Sequence, residues 1–215
     1  MLCAPAFPAA DRARGGVQLA VRAQVERLAP RHRLTVVAPF RLYPPIGRYR
    51  AKMREIPAEP PDETALDLPA VRVLRPRQVH LPLLWPWTDQ LGVELGLKGA
   101  LAKVGRPDLL HGHWLHPHGT AAAAVGQAAR IPVVLTAHGR DVARLDDAQA
   151  ARPGEYRAQV RTACARAAAV ICVSQAMADR LAALLDPGFD RLHLIPNGVD
   201  LERLAYRTKR RIRQS

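Results

Sequence analysis

Val133-Val134-Leu135-Thr136-Ala137-His138-Gly139-Arg140-Asp141 joins a nearly continuous apolar run to a short polar segment that contains a glycine. A strand that is buried on both faces of a parallel sheet has this composition, whereas a half-exposed strand alternates apolar and polar residues. The polar residues would then lie just beyond the carboxyl end of the strand, where α/β folds bind ligands.

The same pattern recurs along the chain, with helical stretches rich in Ala and Leu between the apolar runs. Beyond a short first strand within Met1–Ala4, strands are predicted at Leu34–Ala38, Val71–Leu74, Leu109–Trp114, Val133–Ala137, Ala169–Val173 and Leu192–Ile195. Helices are predicted at Val17–Leu28, Asp89–Val104, Gly119–Ala129, Tyr156–Ala168 and Gln175–Leu184, the last capped by Ser174. This alternation predicts a Rossmann-like, doubly wound α/β fold with a mostly parallel sheet.

The periodic pattern covers residues 1–204, which we interpret as one domain. Residues 41–69 are rich in Pro and charge, lack periodicity, and are predicted to form an irregular loop insertion. Residues 205–215 form a basic tail, predicted to be disordered. The turn Ile195-Pro196-Asn197-Gly198-Val199-Asp200 leaves the last predicted strand, and such a turn normally leads to another element.

The chain has a formal net charge of +13 and a sequence pI near 10.9. This charge is consistent with an anionic partner, such as an anionic membrane or a nucleotide sugar, or with an Arg-rich solvated surface. No nucleic-acid signature accompanies it, so nucleic acid is not expected as a partner. Cys3, Cys164 and Cys172 form no metal-binding spacing, and the N-terminus does not resemble a signal peptide. We therefore expect a cytoplasmic protein. Peripheral contact with the inner face of the membrane is compatible with this expectation.

The densest polar cluster is His111-Gly112-His113-Trp114-Leu115-His116-Pro117-His118-Gly119, at the end of a predicted strand. His111 and His113 would point to the same side of that strand. Three interpretations stay open: a cleft lining that hydrogen-bonds a polar ligand, a metal site, and packing or capping roles. No nearby Asp, Glu or Cys completes a metal site, so no metal is expected.

His138 and Asp141 repeat this arrangement after the neighbouring strand, which favours a shared polar crevice. Gly15-Gly16 lies between the first strand and the first helix, where backbone N–H groups at a helix N-terminus can hold a phosphate. Two adjacent glycines are equally consistent with a tight turn that holds no ligand. No nucleophile elbow or pair of catalytic carboxylates is present, which argues against a hydrolase.

Five segments occur in a characteristic order: Gly15-Gly16-Val17, His111-x-His113-Trp114, Val133–Asp141, Val170–Ser174 and Ile195–Asp200. This ordered set resembles the N-terminal half of family 4 glycosyltransferases, which are retaining enzymes (EC 2.4) of the GT-B fold. The resemblance covers residues 1–204. It implies two Rossmann-like domains that face each other across a cleft, with the acceptor on the N-terminal domain and the nucleotide sugar on the C-terminal domain.

The resemblance also implies roles for individual residues. His138 would be the catalytic residue that contacts the donor sugar, with Gly15, Gly16 and Asp141 at the donor phosphate and sugar. His111, His113 and His116 would line the acceptor side, and Asn197 and Gly198 would form the hinge to the second domain. Catalysis would need no metal or cofactor: the nucleotide sugar is a co-substrate, and its departing phosphate helps to deprotonate the acceptor.

The sequence contains no counterpart of the donor domain or its Glu motif. We therefore expect the acceptor-binding half of a hexosyl transferase, truncated and inactive alone, whose partners are a nucleotide sugar, a glycan or lipid-linked acceptor, and a missing or separate C-terminal domain. The basic tail is interpreted either as an interaction tail or as the product of a frameshift or an altered chain end. The alternative function is a non-catalytic module that binds glycans or a membrane surface, through basic residues of 41–54 and the apolar segment Leu81–Trp87.

Overall fold

The computed structural model describes residues 1–4, 7, 16–42, 71–79, 87–146 and 153–198. The strands are β1 (Leu2–Cys3), β2 (Leu34–Val37), β3 (Phe40–Leu42), β4 (Val71–Leu74), β5 (Arg77–Val79), β6 (Leu110–His113), β7 (Val133–Ala137), β8 (Ala169–Cys172) and β9 (Leu192–Leu194). The helices are α1 (Gly16–Leu28), α2 (Trp87–Val104), α3 (Thr120–Ala129), α4 (Arg140–Ala143), α5 (Pro153–Arg166) and α6 (Gln175–Ala182).

Seven strands form one parallel sheet in the order β4-β2-β1-β6-β7-β8-β9. The chain runs outward from β1 to β2 and β4, and then returns to the other side of β1 at β6. The direction of winding therefore reverses between β1 and β6, and ligands of open α/β sheets bind beyond the carboxyl ends of the strands at such a point. The predicted fold is confirmed.

The two faces of the sheet are covered by different helices, because successive residues of a strand point to opposite faces. Leu2 and its cross-strand neighbour Val36 pack with Val21 and Val25 of α1. The next residues along the strands, such as Cys3, belong to the larger cluster formed with α2, α3 and α5. Both clusters are almost closed to solvent, so the sheet is buried on both sides, as the continuous apolar strands predicted.

The six longer predicted strands and the five predicted helices are all present, with ends shifted by at most three residues. The predicted cap of α6 is also confirmed, since the Ser174 hydroxyl accepts a hydrogen bond from the backbone N–H of Met177 at 3.4 Å. Among the described helices, none combines the length and apolar content that a membrane span requires.

A second, two-stranded parallel sheet formed by β3 and β5 was not predicted. Gln78 of β5 is buried and donates a hydrogen bond from Nε2 to the carbonyl oxygen of Asp89 at 2.9 Å, which fixes β5 to α2. Residues 41 and 42, the first of the predicted irregular insertion, belong to β3. The remainder of that insertion, residues 43–69, and the predicted tail at 205–215 lie outside the described residues.

Candidate functional site

The loops after β6 and β7 meet at the carboxyl edge of the sheet, beside the reversal in winding. Nδ1 of His113, the last residue of β6, lies 3.0 Å from Nε2 of His138, the first residue after β7. The two ring centroids are 5.2 Å apart. One of these nitrogens carries the shared hydrogen and the other accepts it, so the pair links the two loops through side chains.

His111 extends this arrangement by a third ring. Its ring stacks on that of His113, with centroids 4.2 Å apart, which confirms that the two side chains point to the same side of β6. Nε2 of His111 lies 2.8 Å from Oγ1 of Thr136, a buried residue of β7. Thr136 was not predicted as a site residue, although a hydroxyl within an otherwise apolar strand was the available signal.

These three rings are uncharged at neutral pH. Burial lowers the pKa of His111 to about 4, with smaller contributions from His138 and the N-terminus. Burial also lowers the pKa of His113 well below its ordinary value, helped by the neighbouring histidines. Burial lowers the pKa of His138 as well, although the Asp141 carboxylate acts in the opposite direction. Each neutral ring therefore offers one hydrogen-bond donor and one acceptor.

Nε2 of His113 is buried and has no hydrogen-bond partner among the described residues. Whichever tautomer is present, this nitrogen is left unpaired by the bond to His138. An unpaired buried polar atom costs about 1–3 kcal/mol of stability. The atom is closed to solvent, so it is a buried polar group without a partner in the described structure rather than an open position on the site surface.

The carboxylate of Asp141 links the two loops by accepting hydrogen bonds from the backbone of each. Its Oδ2 accepts a hydrogen bond from the backbone N–H of Leu115 at 2.9 Å, and its Oδ1 accepts one from the backbone N–H of His138 at 3.1 Å. Oδ1 also accepts from the N–H of Val142 at 3.1 Å, and the side chain is buried. This geometry gives Asp141 a positioning role, while its predicted contact with a donor phosphate or sugar stays a prediction.

The segment after β6 folds tightly back on its own strand. Trp114 has a left-handed backbone with φ 73°, and its carbonyl oxygen accepts from the N–H of Gly119 at 2.8 Å. A Cβ added to Gly112 would lie 2.9 Å from the Cα of Gly119. Two glycines are therefore needed for this close approach. This reason for the glycines of the cluster was not predicted, because the contact forms only when the segment folds back on its strand.

His116, predicted on the acceptor side, is buried and makes different contacts from those of His113. Its Nδ1 lies 3.1 Å from Oγ1 of Thr120, and its ring meets the ring of Tyr156 edge-on at 5.4 Å between centroids. The hydroxyl of Tyr156 donates to the backbone carbonyl of Asp141 at 2.8 Å. His116 thus supports the loop from the α5 side, and its predicted contact with an acceptor stays a prediction.

The remaining predicted residues lie elsewhere. Gly16 is the first residue of α1, which begins on the carboxyl side of β1, and Gly15 lies outside the described residues. Asn197 and Gly198 follow β9 and are exposed. The predicted phosphate and hinge roles are not tested by these positions. In the described part of the chain, no three His, Cys, Asp or Glu side chains are placed to hold a metal ion.

Comparisons with known proteins concern two properties of this chain, its family and its fold. The sequence profile of Glycosyltransferase Family 4 matches residues 14–203. A putative teichuronic acid biosynthesis glycosyltransferase, TuaC, from Bacillus subtilis (strain 168) is 30% identical over 184 residues, covering 84% of this chain and 45% of that protein. This chain therefore spans less than half the length of that relative.

Two solved structures share the fold. A UDP-N-acetylglucosamine 2-epimerase from Rickettsia bellii superposes with a TM-score of 0.55 at 11% identity, covering 100% of this chain and 48% of that one. The UDP-GlcNAc 2-epimerase from Neisseria meningitidis, bound to UDP-GlcNAc, gives a TM-score of 0.51 at 14% identity, covering 91% and 46%. At such identities the likeness concerns the fold alone. The profile match and the curated relative, however, show that the chain belongs to glycosyltransferase family 4.

Proposed function

We propose that this chain is the acceptor-binding half of a retaining glycosyltransferase, which transfers a hexosyl group from a nucleotide sugar to a glycan or lipid-linked acceptor. The main observation behind this proposal is the hydrogen-bonded pair of His113 and His138. The pair lies beside the point where the sheet of this family 4 chain reverses its winding. The ring of His138 is partly exposed and uncharged, which suits a polar, hydroxyl-bearing ligand at this place.

In the proposed reaction, the bond between the anomeric carbon and the nucleotide diphosphate breaks, and a bond to an acceptor hydroxyl oxygen forms. The acceptor proton passes to the departing phosphate. His138, uncharged at neutral pH, would hydrogen-bond the transferred sugar rather than act as a base. His113 would fix the orientation of the His138 ring, and Asp141 would fix its backbone.

The curated relative is more than twice as long as the matched region. The family resemblance implies that the nucleotide would bind to a second domain. Rate acceleration in such a reaction depends on groups that position and stabilise the diphosphate. We therefore propose that the 215-residue chain, by itself, binds acceptor but transfers negligible sugar.

The test uses the purified chain. Nucleotide release from UDP- and GDP-sugars, with glycan acceptors present, is expected to stay at background, and robust transfer would overturn the proposal. Binding of neutral oligosaccharides, followed by saturation-transfer NMR, is expected to weaken about tenfold in His111→Asn, because the acceptor side then loses a ligand hydrogen bond. His193→Asn, an exposed change on β9, is the matched control. A lack of binding to every glycan would remove the acceptor role.

One observation favours the alternative of a membrane-surface module. Trp87, Leu91 and Leu95 follow one another at single-turn spacing on α2 and are 45%, 54% and 60% exposed. Lys98 continues the exposed stripe by another turn. An apolar stripe beside a cation is the arrangement that binds at an anionic membrane interface. Residues 81–86 of the predicted membrane segment lie outside the described residues.

Flotation with vesicles of phosphatidylglycerol and phosphatidylcholine tests whether the exposed stripe of α2 binds a membrane surface. Leu91→Gln with Leu95→Gln is expected to reduce vesicle binding severalfold, because interfacial affinity scales with buried apolar area. Leu194→Gln with Ile195→Gln, two exposed apolar residues at β9, serves as the control. Equal flotation of both double variants would remove the membrane role of α2.

A further inference from the structure

A wide groove runs along the amino ends of the strands, at the edge of the sheet opposite the histidine pair. Its volume is about 1080 Å³, and its walls come from the end of α1, the starts of β1, β2 and β4, and the loop from α2 to β6. Its apolar floor includes Leu2, Leu34 and Val71. Of the predicted site residues that the structure describes, only His111 lines this groove, and the family comparison assigns the groove no role.

Positive charge is concentrated along the groove. Five cationic side chains line it against a single acid, Asp108; these cations are Arg31, Arg33, Arg72, Lys103 and Arg106. They come from three separate parts of the chain, which the fold brings together. Thr35 of β2 is the direct partner of Arg72 on β4, so the cations beside β2 and on β4 lie on neighbouring strands.

These cations are not neutralised by the described part of the chain. Ion pairs there join Arg22 to Glu26, and Arg157 and Arg180 to Asp146, and none includes a residue of the groove. Arg106 does donate to the carbonyl oxygen of Arg130, at 2.5 Å. A concave surface lined by charges of one sign focuses the electrostatic potential and raises the local concentration of an oppositely charged ligand.

The shape and lining narrow the class of ligand. The groove exceeds the usual pocket volume of about 300–1000 Å³ for a small molecule, and its cations are spread along it, which suits a chain of repeated anionic groups rather than one phosphate. No Trp, Tyr or Phe lines it, and its aromatic rings are those of His32 and His111, so it lacks the series of large aromatic platforms typical of single-stranded nucleic-acid grooves. A flat bilayer surface cannot follow a concave groove.

We propose that this groove binds an anionic polysaccharide, a glycan chain that carries repeated carboxylate or phosphate groups. The cations pair with the acidic groups, and the apolar floor contacts the sugar rings. The inference does not depend on sugar transfer, because the cations line the amino ends of the strands, whereas His113 and His138 lie at the carboxyl ends. His111, whose ring stacks on His113, is shared by the groove and the histidine site. A polysaccharide held in this groove would stay close to the protein without occupying the region beyond the carboxyl ends of the strands, where His113 and His138 lie.

The test is binding of fluorescently labelled polygalacturonate to the purified chain at 50 and 300 mM NaCl. Binding is expected at low salt and about tenfold or more weaker at high salt, since salt screens exposed charges. Arg33→Glu with Arg72→Glu is expected to weaken binding at least about tenfold, because like charges then face the polymer. Both positions are exposed, and circular dichroism and thermal melting verify that the variant is folded.

The control is Arg161→Glu with Arg166→Glu, two exposed positions on α5 with the same change in net charge. Retained binding in this control, with loss in the groove variant, supports the groove. Equal loss in both variants would show that net charge alone attracts the polymer, and unchanged binding in the groove variant would place the polymer elsewhere; each overturns the proposal. Tighter, groove-dependent binding of a (dT)20 oligonucleotide than of polygalacturonate would overturn the ligand class.

Discussion

His113 and His138 share a hydrogen bond of 3.0 Å between Nδ1 and Nε2, and this bond joins the ends of two adjacent parallel strands. Both rings are uncharged at neutral pH because burial lowers the pKa of each. A protonated ring could not accept the shared hydrogen, so protonation of both partners would break the link. The integrity of the site therefore depends on pH.

The first prediction concerns stability at acidic pH. The pKa of His111 falls from 6.5 to about 4 on folding, so between these values the unfolded chain binds more protons than the folded chain. The contribution of this residue to stability is fully present above pH 6.5 and is lost as the pH falls toward 4. Its size is on the order of 3 kcal/mol.

Urea unfolding at a series of pH values measures this effect. His111→Gln is expected to reduce the slope of unfolding free energy against pH by about one proton within that range. His193→Gln, the same change at an exposed position, is the matched control. Parallel curves for His111→Gln and the original chain would show that His111 does not titrate in this manner.

The second prediction concerns Asp141, whose carboxylate accepts hydrogen bonds from the N–H groups of Leu115, His138 and Val142. Asp141→Asn places an NH₂ group where an acceptor is needed and removes the charge that strengthens these bonds. We expect a loss of about 2–4 kcal/mol in the free energy of unfolding, because buried donors are left unpaired. Equilibrium urea denaturation gives the value.

Asp179→Asn is the matched control for this change. Asp179 is exposed on α6 and accepts one hydrogen bond, from Gln175. Its substitution should alter stability by no more than about 0.5 kcal/mol. Similar losses for the two variants would mean that Asp141 is an ordinary surface acid, and the positioning role would have to be abandoned.

Much of this architecture could be predicted from sequence, because buried parallel strands have continuous apolar runs. The same reasoning placed His111 and His113 on one side of β6. The pairing of β3 with β5 could not be predicted, because both strands are three residues long and their pairing is set by contacts such as Gln78 with α2. The inward direction of Asp141 also depends on tertiary structure, since the backbone N–H of Leu115 lies 26 residues away.

The third prediction concerns Gly139, which separates His138 from α4. Its φ is 109°, a conformation that side chains rarely adopt, and an added Cβ would lie 3.0 Å from Cε of Met177. Gly139→Ala is therefore expected to destabilise the protein by about 1–3 kcal/mol, mainly through backbone strain. Thermal melting and urea denaturation measure the loss.

Gly99→Ala provides the opposite outcome with the same chemical change. Gly99 lies within α2, and an added Cβ would meet no atom within 4 Å. Since Ala is favoured over Gly inside a helix, this variant should gain up to about 1 kcal/mol. If Gly139→Ala were as stable as Gly99→Ala, the backbone after His138 would have to be free to change its conformation.

The fourth prediction concerns the three cysteines, which are all buried and unpaired. Burial raises the pKa of Cys172 to about 11 and that of Cys164 to about 12, and it raises the pKa of Cys3 further still. Only the thiolate reacts with disulfide reagents, so the folded protein should react slowly with Ellman's reagent at pH 8. The rate should increase sharply across the urea transition, when all three thiols become accessible together.

A mutant with an exposed thiol shows that the reagent is effective under native conditions. Ser174 caps α6 and is unsuitable, whereas Ala176 is exposed on that helix, so Ala176→Cys should react immediately and add one equivalent. Fast reaction of a native cysteine before the urea transition would reveal local opening of the sheet. Cys172 is the most sensitive reporter, because β8 is followed directly by Val173 and the cap of α6, and opening there would expose it without global unfolding.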